Sequence, residues 1–156
     1  MPEGENMEFV SDDQILLDRE AESRHELLRM LCAQAEALGI VKDDEEAYQA
    51  FLAREELGAT GLTEGFAVPH AKSATIVRPA VMVWKNKTAV PWPSFDEKPV
   101  DIAVALFVPE ANREEHIRLL SKTAVLLMDS AFRTMLRESE DAHTIASAIS
   151  DALAQE

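Results

Sequence analysis

The stretch Val100–Val108 reads VDIAVALFV and is apolar at every position except Asp101. A strand with one solvated face alternates apolar and polar residues, whereas a strand covered on both faces reads as an almost continuous apolar run rich in β-branched residues. The stretch therefore predicts a central strand that is buried on both faces. Pro109 is expected to end it, because proline has no backbone N–H to donate.

Further strands are predicted on the N-terminal side of this central strand. Ala80–Trp84 reads as a strand, and Ile76–Val77 and Thr88–Val90 are expected to form shorter strands beside it. Near the start of the chain, Phe9–Val10 and Ile15–Leu17 are expected to form short strands or an edge hairpin.

Two helices are predicted before these strands. Ser23 and Glu26 have the spacing of a capping box, which predicts a helix over 24–38. Asp43 is followed by an acidic first turn, as the helix dipole prefers, and Gly58 is expected to end this second helix.

Helices are also predicted after the central strand. Asn112 with Glu115 has the pattern of a helix cap, Ser130 begins another helix or a kinked continuation, and Ser139 opens a last helix. Helices that bracket a run of strands predict an α/β layered domain.

Length and charge limit the class of protein. A chain of 156 residues with 47% hydrophobic residues is long enough for one globular domain, expected over 7–156 after a disordered segment 1–6. The net charge of −14 argues against a nucleic-acid binder and against adhesion to anionic membranes. A partner with a basic docking face suits this charge better.

Cysteine usage and hydropathy predict the compartment. Cys32 is the only cysteine, so no internal disulfide can form, which is compatible with a reducing cytosol. No apolar stretch is long enough to span a bilayer. The N-terminus reads MPEGEN, which is acidic and lacks the apolar segment of a secretory signal. We therefore expect a cytoplasmic protein without membrane insertion.

The stretch Gly61–Lys72, which reads GLTEGFAVPHAK, contains the most informative histidine. His70 follows Pro69, and proline biases its neighbour towards extended backbone. His70 is therefore predicted to lie where a short strand ends and a loop begins. An imidazole at such a place can act as nucleophile, base or ligand, or can simply face water.

The other histidines are less distinctive. His25 and His143 lie near predicted helix starts among charged neighbours and are expected to be solvated or structural. His116 lies in the first turn of the helix after the central strand, where the helix potential favours a neutral imidazole. Taken alone, His116 is more simply explained by a structural role.

Several kinds of chemistry lack their usual motifs. The sequence has no HExxH pattern, no paired cysteines, no GxSxG elbow and no Walker A loop. Cys32 lies on the apolar stripe of a predicted helix, where it is a small hydrophobe rather than a nucleophile. What remains is histidine as a covalent nucleophile for a phosphoryl group, with Arg54 and the loop Gly58–Gly61 as donors to its oxygens.

At this point the residues resemble a known family. Arg54–Gly61 (REELGATG) and Gly65–Ser73 (GFAVPHAKS) resemble the fructose/mannitol (type 2) class of enzyme IIA domains of the bacterial phosphoenolpyruvate-dependent sugar phosphotransferase system. A histidine that opens the helix after the long central strand is a second feature of this family, matched by Glu115–Leu120 (EHIRLL). The resemblance covers roughly residues 8–154.

The resemblance implies a fold and a set of site residues. The fold would be α/β, with a central mixed β-sheet flanked by helices on both faces, as in mannitol-type enzyme IIA. His70 would be the phosphorylated residue, with His116 beside it. Arg54 would bind the phosphoryl group, Thr60 would line the pocket, and Glu64 would help to orient the site.

The resemblance also implies partners. The domain would take phosphate from the phosphocarrier protein HPr and pass it to a cysteine of enzyme IIB, which works with membrane-bound enzyme IIC. No cofactor, metal or nucleic acid is implied. Two other roles stay open: a regulatory, nitrogen-type IIA module that uses the same site, and a metal-dependent hydrolase that uses His70 and His116.

This chain departs from the family pattern in one loop. Gly61–Gly65 reads GLTEG, where Gly-Ile-Gly-Asn-Gly is commoner, so the loop gains the charge of Glu64. The choice of partner is therefore open. Ala71–Ser73 favours the fructose or galactitol-like transporters over the nitrogen-regulatory paralogue.

Overall fold

The structure is a computed structural model that describes residues 9–111 and 113–154, without the side chains of residues 113, 115 and 116. The predicted disorder of residues 1–6 lies outside the described residues. The strands are β1 (Ile15–Arg19), β2 (Phe66–Ala67), β3 (His70–Ser73), β4 (Ala80–Val90) and β5 (Val100–Pro109). The α-helices are α1 (Arg24–Ala37), α2 (Asp44–Leu57), α3 (Arg113–Leu126), α4 (Ser130–Glu138) and α5 (Ala142–Ala154).

The strands form one mixed sheet in which β5 is central. The order is β1, β4, β5, and both β2 and β3 pair with the remaining side of β5. β4 and β5 are antiparallel, whereas β1 is parallel to β4, and β2 and β3 are parallel to β5. The predicted central strand and the mixed sheet are confirmed.

Alternate residues of β5 belong to two separate hydrophobic clusters, one on each face of the sheet. One cluster contains buried residues of α1 and α2, and the other contains buried residues of α3, α4 and α5. The β5 members of the first are Val100, Ala103, Ala105 and Phe107, and those of the second are Ile102, Val104, Leu106 and Val108. Helices thus cover both faces, which confirms the α/β fold class.

The N-terminal helices begin and end where the sequence predicts. The Ser23 hydroxyl accepts a hydrogen bond from the Glu26 N–H at 3.0 Å, and the Asp43 carboxylate accepts one from the Glu45 N–H at 3.0 Å. Both side chains satisfy donors that the first turn of a helix leaves without partners. Gly39, with φ of +79°, follows the end of α1.

The packing of α2 on the sheet is anchored by a pair of aromatic rings. Phe51 of α2 and Phe107 of β5 are both fully buried, and their ring centroids lie 5.0 Å apart at an interplanar angle of 72°. An edge-to-face pair of this kind contributes about 0.5–1.5 kcal/mol beyond the burial of its apolar area. This contact fixes α2 against β5, the strand with which β3 and its His70 pair.

Of the predictions for the N-terminal region, the short strand at Ile15–Leu17 is confirmed, whereas the edge hairpin and the strand at Phe9–Val10 are wrong. Ile15–Arg19 forms a strand, but it runs parallel to β4, and Phe9–Val10 lies outside the strands. The buried side chain of Gln14 is the reason, because its amide donates to the carbonyl oxygens of both Phe9 and Val81 at 2.9 and 2.8 Å. The Gln14 side chain thereby supplies hydrogen bonds that backbone pairing would supply in a hairpin.

The region 76–90 also differs from the prediction. Ala80–Val90 is one strand with a register irregularity between Lys85 and Val90, whereas Ile76 makes only an isolated bridge to Val41. The polar stretch does not end the strand, because the buried Asn86 amide donates to the carbonyl oxygens of Ala21 and Thr88 at 2.9 and 2.8 Å.

The C-terminal helices follow the prediction, except that the last one begins three residues after Ser139. The cap expected from Asn112 and Glu115 lies outside the described residues. α4 is a separate helix, capped by the Asp129 carboxylate on the Ala131 N–H at 3.0 Å, and α5 begins at Ala142. No helix in the described part of the chain is both long enough and apolar enough to cross a membrane.

Gly61 permits a close approach between its own loop, which links α2 to β2, and the segment that links β4 to β5. A Cβ at Gly61 would lie 2.3 Å from the Pro93 carbonyl oxygen and 2.7 Å from the Ser94 Cβ. The next residue along, Leu62, accepts a hydrogen bond from the Phe95 N–H at 3.1 Å. A side chain at position 61 would therefore separate these two segments.

We expect Gly61→Ala to lower the free energy of unfolding by about 1–3 kcal/mol, because the added methyl group meets backbone atoms that cannot yield easily. Gly58→Ala is the matched control, since a Cβ at Gly58 would meet no heavy atom within 4 Å. Urea denaturation of both variants measures the difference. Equal stability of the two would contradict the close contact at Gly61.

Candidate functional site

His70 opens β3 at the edge of the sheet. The edge is made of β2 and β3, and Val68 and Pro69 interrupt it. His70 pairs with Leu106 of β5, and the Pro69 carbonyl accepts the Leu106 N–H at 3.0 Å. The prediction that His70 ends a strand is therefore wrong: the histidine begins the next one, because pairing with β5 resumes directly after the proline.

The hydrogen bonds of the His70 ring indicate its tautomer. The Arg54 Nε–H donates to His70 Nε2 at 2.9 Å, and the other ring nitrogen, Nδ1, lies 2.9 Å from the Val68 carbonyl oxygen. A guanidinium only donates and a carbonyl only accepts, so Nδ1 carries the proton and Nε2 carries the lone pair. With 8% of its surface exposed, the ring is held in one orientation.

Arg54 is positioned by the end of α2. It lies in the last turn of the helix, and its Nη1 donates to the Gly58 carbonyl oxygen at 2.6 Å, in addition to the bond to His70. A cation here also meets the negative end of the helix dipole. Its remaining N–H groups make no hydrogen bond to the residues that the structure describes, and a planar guanidinium matches the geometry of phosphate oxygens.

Thr60 is buried, and its side chain bonds to Glu55. The Thr60 hydroxyl donates to Glu55 Oε2, and the Thr60 N–H donates to Glu55 Oε1 at 3.3 Å. The structure therefore places Thr60 beside the candidate site as part of the loop 58–61, with its hydroxyl directed to a carboxylate.

Glu55 is a residue that the sequence reasoning did not single out. Its carboxylate also receives hydrogen bonds from Arg24 Nη1 at 3.4 Å and from Trp92 Nε1 at 3.3 Å. A signal was present: Glu55 lies one helical turn after Phe51, so it continues the apolar stripe of α2 with a charged residue. A carboxylate at a core position needs several donors to remain there.

Glu64 lies away from His70. Its backbone has φ of +58°, its side chain is 70% exposed, and its carboxylate pairs with Arg133 of α4 at 3.0 Å. The loop at Glu64 meets the start of β5, since the Gly65 carbonyl accepts the Ile102 N–H at 3.0 Å. His70 pairs with Leu106, which is about 13 Å further along the strand at ~3.3 Å per residue.

His116 lies within the first turn of α3, which follows the end of β5. Its side chain lies outside the described residues. The backbone therefore starts α3 shortly after the end of β5, the strand that pairs with β3 and His70.

Cys32 is buried in the core and does not belong to the site. Burial raises the pKa of its thiol to about 12. The thiol is therefore neutral near pH 7, which rules out a thiolate nucleophile at this position.

Among the described residues, no group of three or more possible metal ligands includes His70. Glu36, Asp43 and Asp44 are the described residues whose possible ligand atoms all lie within 4.8 Å of one another. They lie between α1 and α2 and include no histidine, and exposed carboxylates often cluster without a metal ion.

Comparison with known families gives one match over almost the whole chain. The profile of the family described as "Phosphoenolpyruvate-dependent sugar phosphotransferase system, EIIA 2" matches residues 8–152.

Curated relatives of two lengths are similar to the chain. The fructose-specific EIIA component of Haloferax volcanii is 29% identical over 84% of this chain and 85% of the relative. The fructose-specific EIIABC component of Bacillus subtilis is 28% identical over 88% of this chain, which spans only 22% of that longer protein.

Solved structures share the fold. The nitrogen regulatory protein IIA-Ntr of Neisseria meningitidis is 27% identical with a TM-score of 0.82, over 94% of this chain and 97% of that one. The enzyme IIA of the Escherichia coli mannitol system, solved with phosphorylated enzyme IIB, is 22% identical with a TM-score of 0.70, over 93% and 96%. At that identity the second likeness shows the fold.

The hydrogen bonds of His70 predict its tautomer in solution. When the imidazole is neutral, ¹⁵N spectra should show the Nδ1–H form, because the Val68 carbonyl accepts that proton. Arg54→Met should shift the Nε2 resonance, since it removes the donor to this nitrogen. Arg29→Met, which removes an exposed guanidinium paired with Glu45, should leave the resonance in place. A wild-type ring that is mainly Nε2–H would contradict the geometry.

Proposed function

Since the chain belongs to the EIIA 2 family of the phosphoenolpyruvate-dependent sugar phosphotransferase system, we propose that it is a phosphohistidine carrier of that system. His70 accepts a phosphoryl group from HPr and passes it to a cysteine of enzyme IIB, and residues 7–156 form the single enzyme IIA domain that does this. The family resemblance inferred from Arg54–Ser73 is confirmed by the same match.

One observation carries this proposal: the Nε2 lone pair of His70 faces the Arg54 guanidinium, while Nδ1–H is held by the Val68 carbonyl. A nucleophile is thus placed beside a cation that can bind the group it attacks. Phosphoryl transfer asks little more of a protein than positioning and charge stabilisation.

The transfer steps balance without a general base. The Nε2 lone pair forms the new N–P bond, and the electrons of the donor's N–P bond return to the donor's ring nitrogen. Because Nδ1 keeps its proton, the phosphorylated ring carries a positive charge. When a cysteine thiolate of enzyme IIB attacks phosphorus, the electrons of the His70 N–P bond return to Nε2, and a neutral imidazole leaves.

Arg54 changes partners in this scheme. In the resting state its Nε–H donates to His70 Nε2. After phosphorylation that lone pair is part of the N–P bond, so the guanidinium turns to the phosphoryl oxygens. The Gly58 carbonyl, which accepts from Nη1, holds the guanidinium at the site during this change.

The other site residues have supporting roles in the proposal. Thr60 holds the loop 58–61 beside the pocket, and His116, from the start of α3, lies next to the phosphoryl group. Glu64 orients the site indirectly, through the loop that leads into β2: its N–H donates to Asp96 at 2.8 Å, and its carbonyl accepts from Arg137 at 2.8 Å.

Features of the surface support a protein as the reaction partner. Leu57, beside Gly58, is 86% exposed, and Ile117, at the start of α3, is 65% exposed. Both side chains lie on helices that carry proposed site residues, α2 with Arg54 and α3 with His116, and exposed apolar side chains in such places suit a protein interface. The net charge of −14 favours partners with basic docking faces. Enzyme IIB with membrane-bound enzyme IIC is the acceptor in this role, which places the domain in the cytoplasm.

A regulatory, nitrogen-type role is the second candidate function. The observation that favours it is the likeness to IIA-Ntr of Neisseria meningitidis, whose TM-score of 0.82 exceeds the 0.70 of the mannitol enzyme. In that role the phosphorylation state of His70 is read by a target protein. Neighbouring genes for enzymes IIB and IIC, together with transfer to the IIB cysteine, would favour transport over regulation.

Labelling tests the carrier function directly. With labelled phosphoenolpyruvate, enzyme I and HPr, we expect the wild-type protein to gain a phosphate that is labile in acid and stable in base, as for phosphohistidine. His70→Gln should gain none, because it lacks the nucleophile, whereas His143→Gln is the matched control and should label normally. Normal labelling of His70→Gln would rule out the assignment.

Arg54→Lys tests the phosphoryl-binding role. The substitution keeps the charge but loses the planar set of donors, so we expect transfer to His70 to slow by roughly 10²-fold, as when one oxyanion donor is removed. Single-turnover phosphorylation by phospho-HPr measures the rate, and Arg29→Lys on α1 is the control. A rate within about twofold of wild type would exclude this role for Arg54.

A further inference from the structure

Glu55 is a buried carboxylate that the phosphoryl chemistry described above does not use. Its side chain is 2% exposed, and it accepts hydrogen bonds from four donors: the Thr60 N–H, the Thr60 hydroxyl, Arg24 Nη1 and Trp92 Nε1. Removing a charge from water is costly unless such donors replace the solvent. The hydrogen bonds that stabilise the buried carboxylate therefore also restrain the positions of its donors.

One path of hydrogen bonds leads from Glu55 to the Nδ1 side of His70. The Glu55 carboxylate holds Thr60 through both its backbone N–H and its hydroxyl. The Thr60 carbonyl accepts the Val68 N–H at 3.0 Å. The Val68 carbonyl in turn lies 2.9 Å from His70 Nδ1 and accepts its proton.

A second path leads to the Nε2 side of the same ring. Thr60 is two residues after Gly58, whose carbonyl accepts from Arg54 Nη1 at 2.6 Å. Arg54 donates from Nε to His70 Nε2 at 2.9 Å. Among the described residues, the Val68 carbonyl contacts one ring nitrogen and the Arg54 guanidinium the other, and both residues are hydrogen-bonded to the loop 58–61, which Glu55 holds through Thr60.

The carboxylate is itself fixed from outside the loop. Arg24 is the first residue of α1, and Trp92 lies between β4 and β5. Both belong to parts of the chain that pack on the same face of the sheet as α2, since Trp92 and residues of α1 share one hydrophobic cluster with Phe51. Glu55 thus connects the rigid core to the loop beside His70.

We propose that Glu55 is a positioning residue for His70: through Thr60 it holds the imidazole in the Nδ1–H tautomer, with Nε2 directed to the incoming phosphoryl group. The role rests on the proposed function, because it concerns transfer at His70. It adds a control of ring orientation from a residue that touches neither the ring nor the phosphate.

Glu55→Gln is the direct test, because it keeps the shape of the side chain but replaces one acceptor oxygen by an NH₂ group that repels the donors of Thr60 or Trp92. We expect the fraction of His70 in the Nδ1–H tautomer to fall in ¹⁵N spectra. Transfer from phospho-HPr should slow by roughly ten- to hundred-fold, as for a small misplacement of a reacting group. His70 should still take up label to completion.

Two further variants keep the test decisive. Thr60→Val removes only the hydroxyl that donates to Glu55, so it should shift the tautomer in the same direction even if Glu55→Gln does not fold. Glu45→Gln is the matched control on the same helix: this carboxylate is exposed and pairs with Arg29, so tautomer and rate should stay as in the wild type. Circular dichroism gives the folded fraction of each variant.

The outcomes separate the two proposals. A shifted tautomer with slower transfer in Glu55→Gln or Thr60→Val, and neither change in Glu45→Gln, supports the positioning role. An unchanged tautomer, or a loss of rate no larger than the loss of folded protein, overturns it. Failure of the carrier function has a different signature, because the wild-type protein itself would take no label whatever its tautomer.

Discussion

Burial of β5 on both faces is the constraint on which the remaining structure depends. Its alternate side chains divide into two clusters, so α1 and α2 are bound to one face and α3, α4 and α5 to the other. Its backbone pairs on both sides as well, with β4 on one and with β2 and β3 on the other. Each residue of a neighbouring strand therefore has a defined register along β5, and His70 lies opposite Leu106.

The site arises where three such placements meet. Pairing with β5 fixes the backbone of His70, packing of Phe51 on Phe107 fixes α2, and the last turn of α2 delivers Arg54 to the ring. None of these contacts takes part in a bond-making or bond-breaking step. Together they leave a histidine with one nitrogen occupied by a carbonyl and the other facing a cation, which is the arrangement a phosphoryl acceptor needs.

The parts of the fold that the sequence predicts are those set by local rules. Ser23 and Asp43 cap their helices because a side-chain oxygen lies next to free N–H groups, and the apolar run of β5 requires cover on both faces. The hairpin failed because Gln14 bonds to Val81, a residue far along the chain, and no local pattern reports such a bond. His70 and Arg54 were singled out by their chemistry and then by a family resemblance, and not by periodicity. Glu55 was overlooked because its partners come from three separate segments of the chain. Its position on the apolar stripe of α2 was nevertheless a sign, in the sequence itself, that this carboxylate is buried.

The interruption of the sheet edge at Pro69 has a consequence for the behaviour of the protein at high concentration. The edge strand of a sheet can present backbone groups on which a second molecule adds a strand. Here the edge consists of the segments Phe66–Ala67 and His70–Ser73, which Val68 and Pro69 separate. The first segment is already covered, because the Leu62 N–H donates to the Phe66 carbonyl at 2.7 Å. Strands so short, with a residue between them that lacks an N–H, are poor templates for edge-to-edge association. The same proline that precedes β3 thus makes this edge of the sheet a poor template for polymerisation.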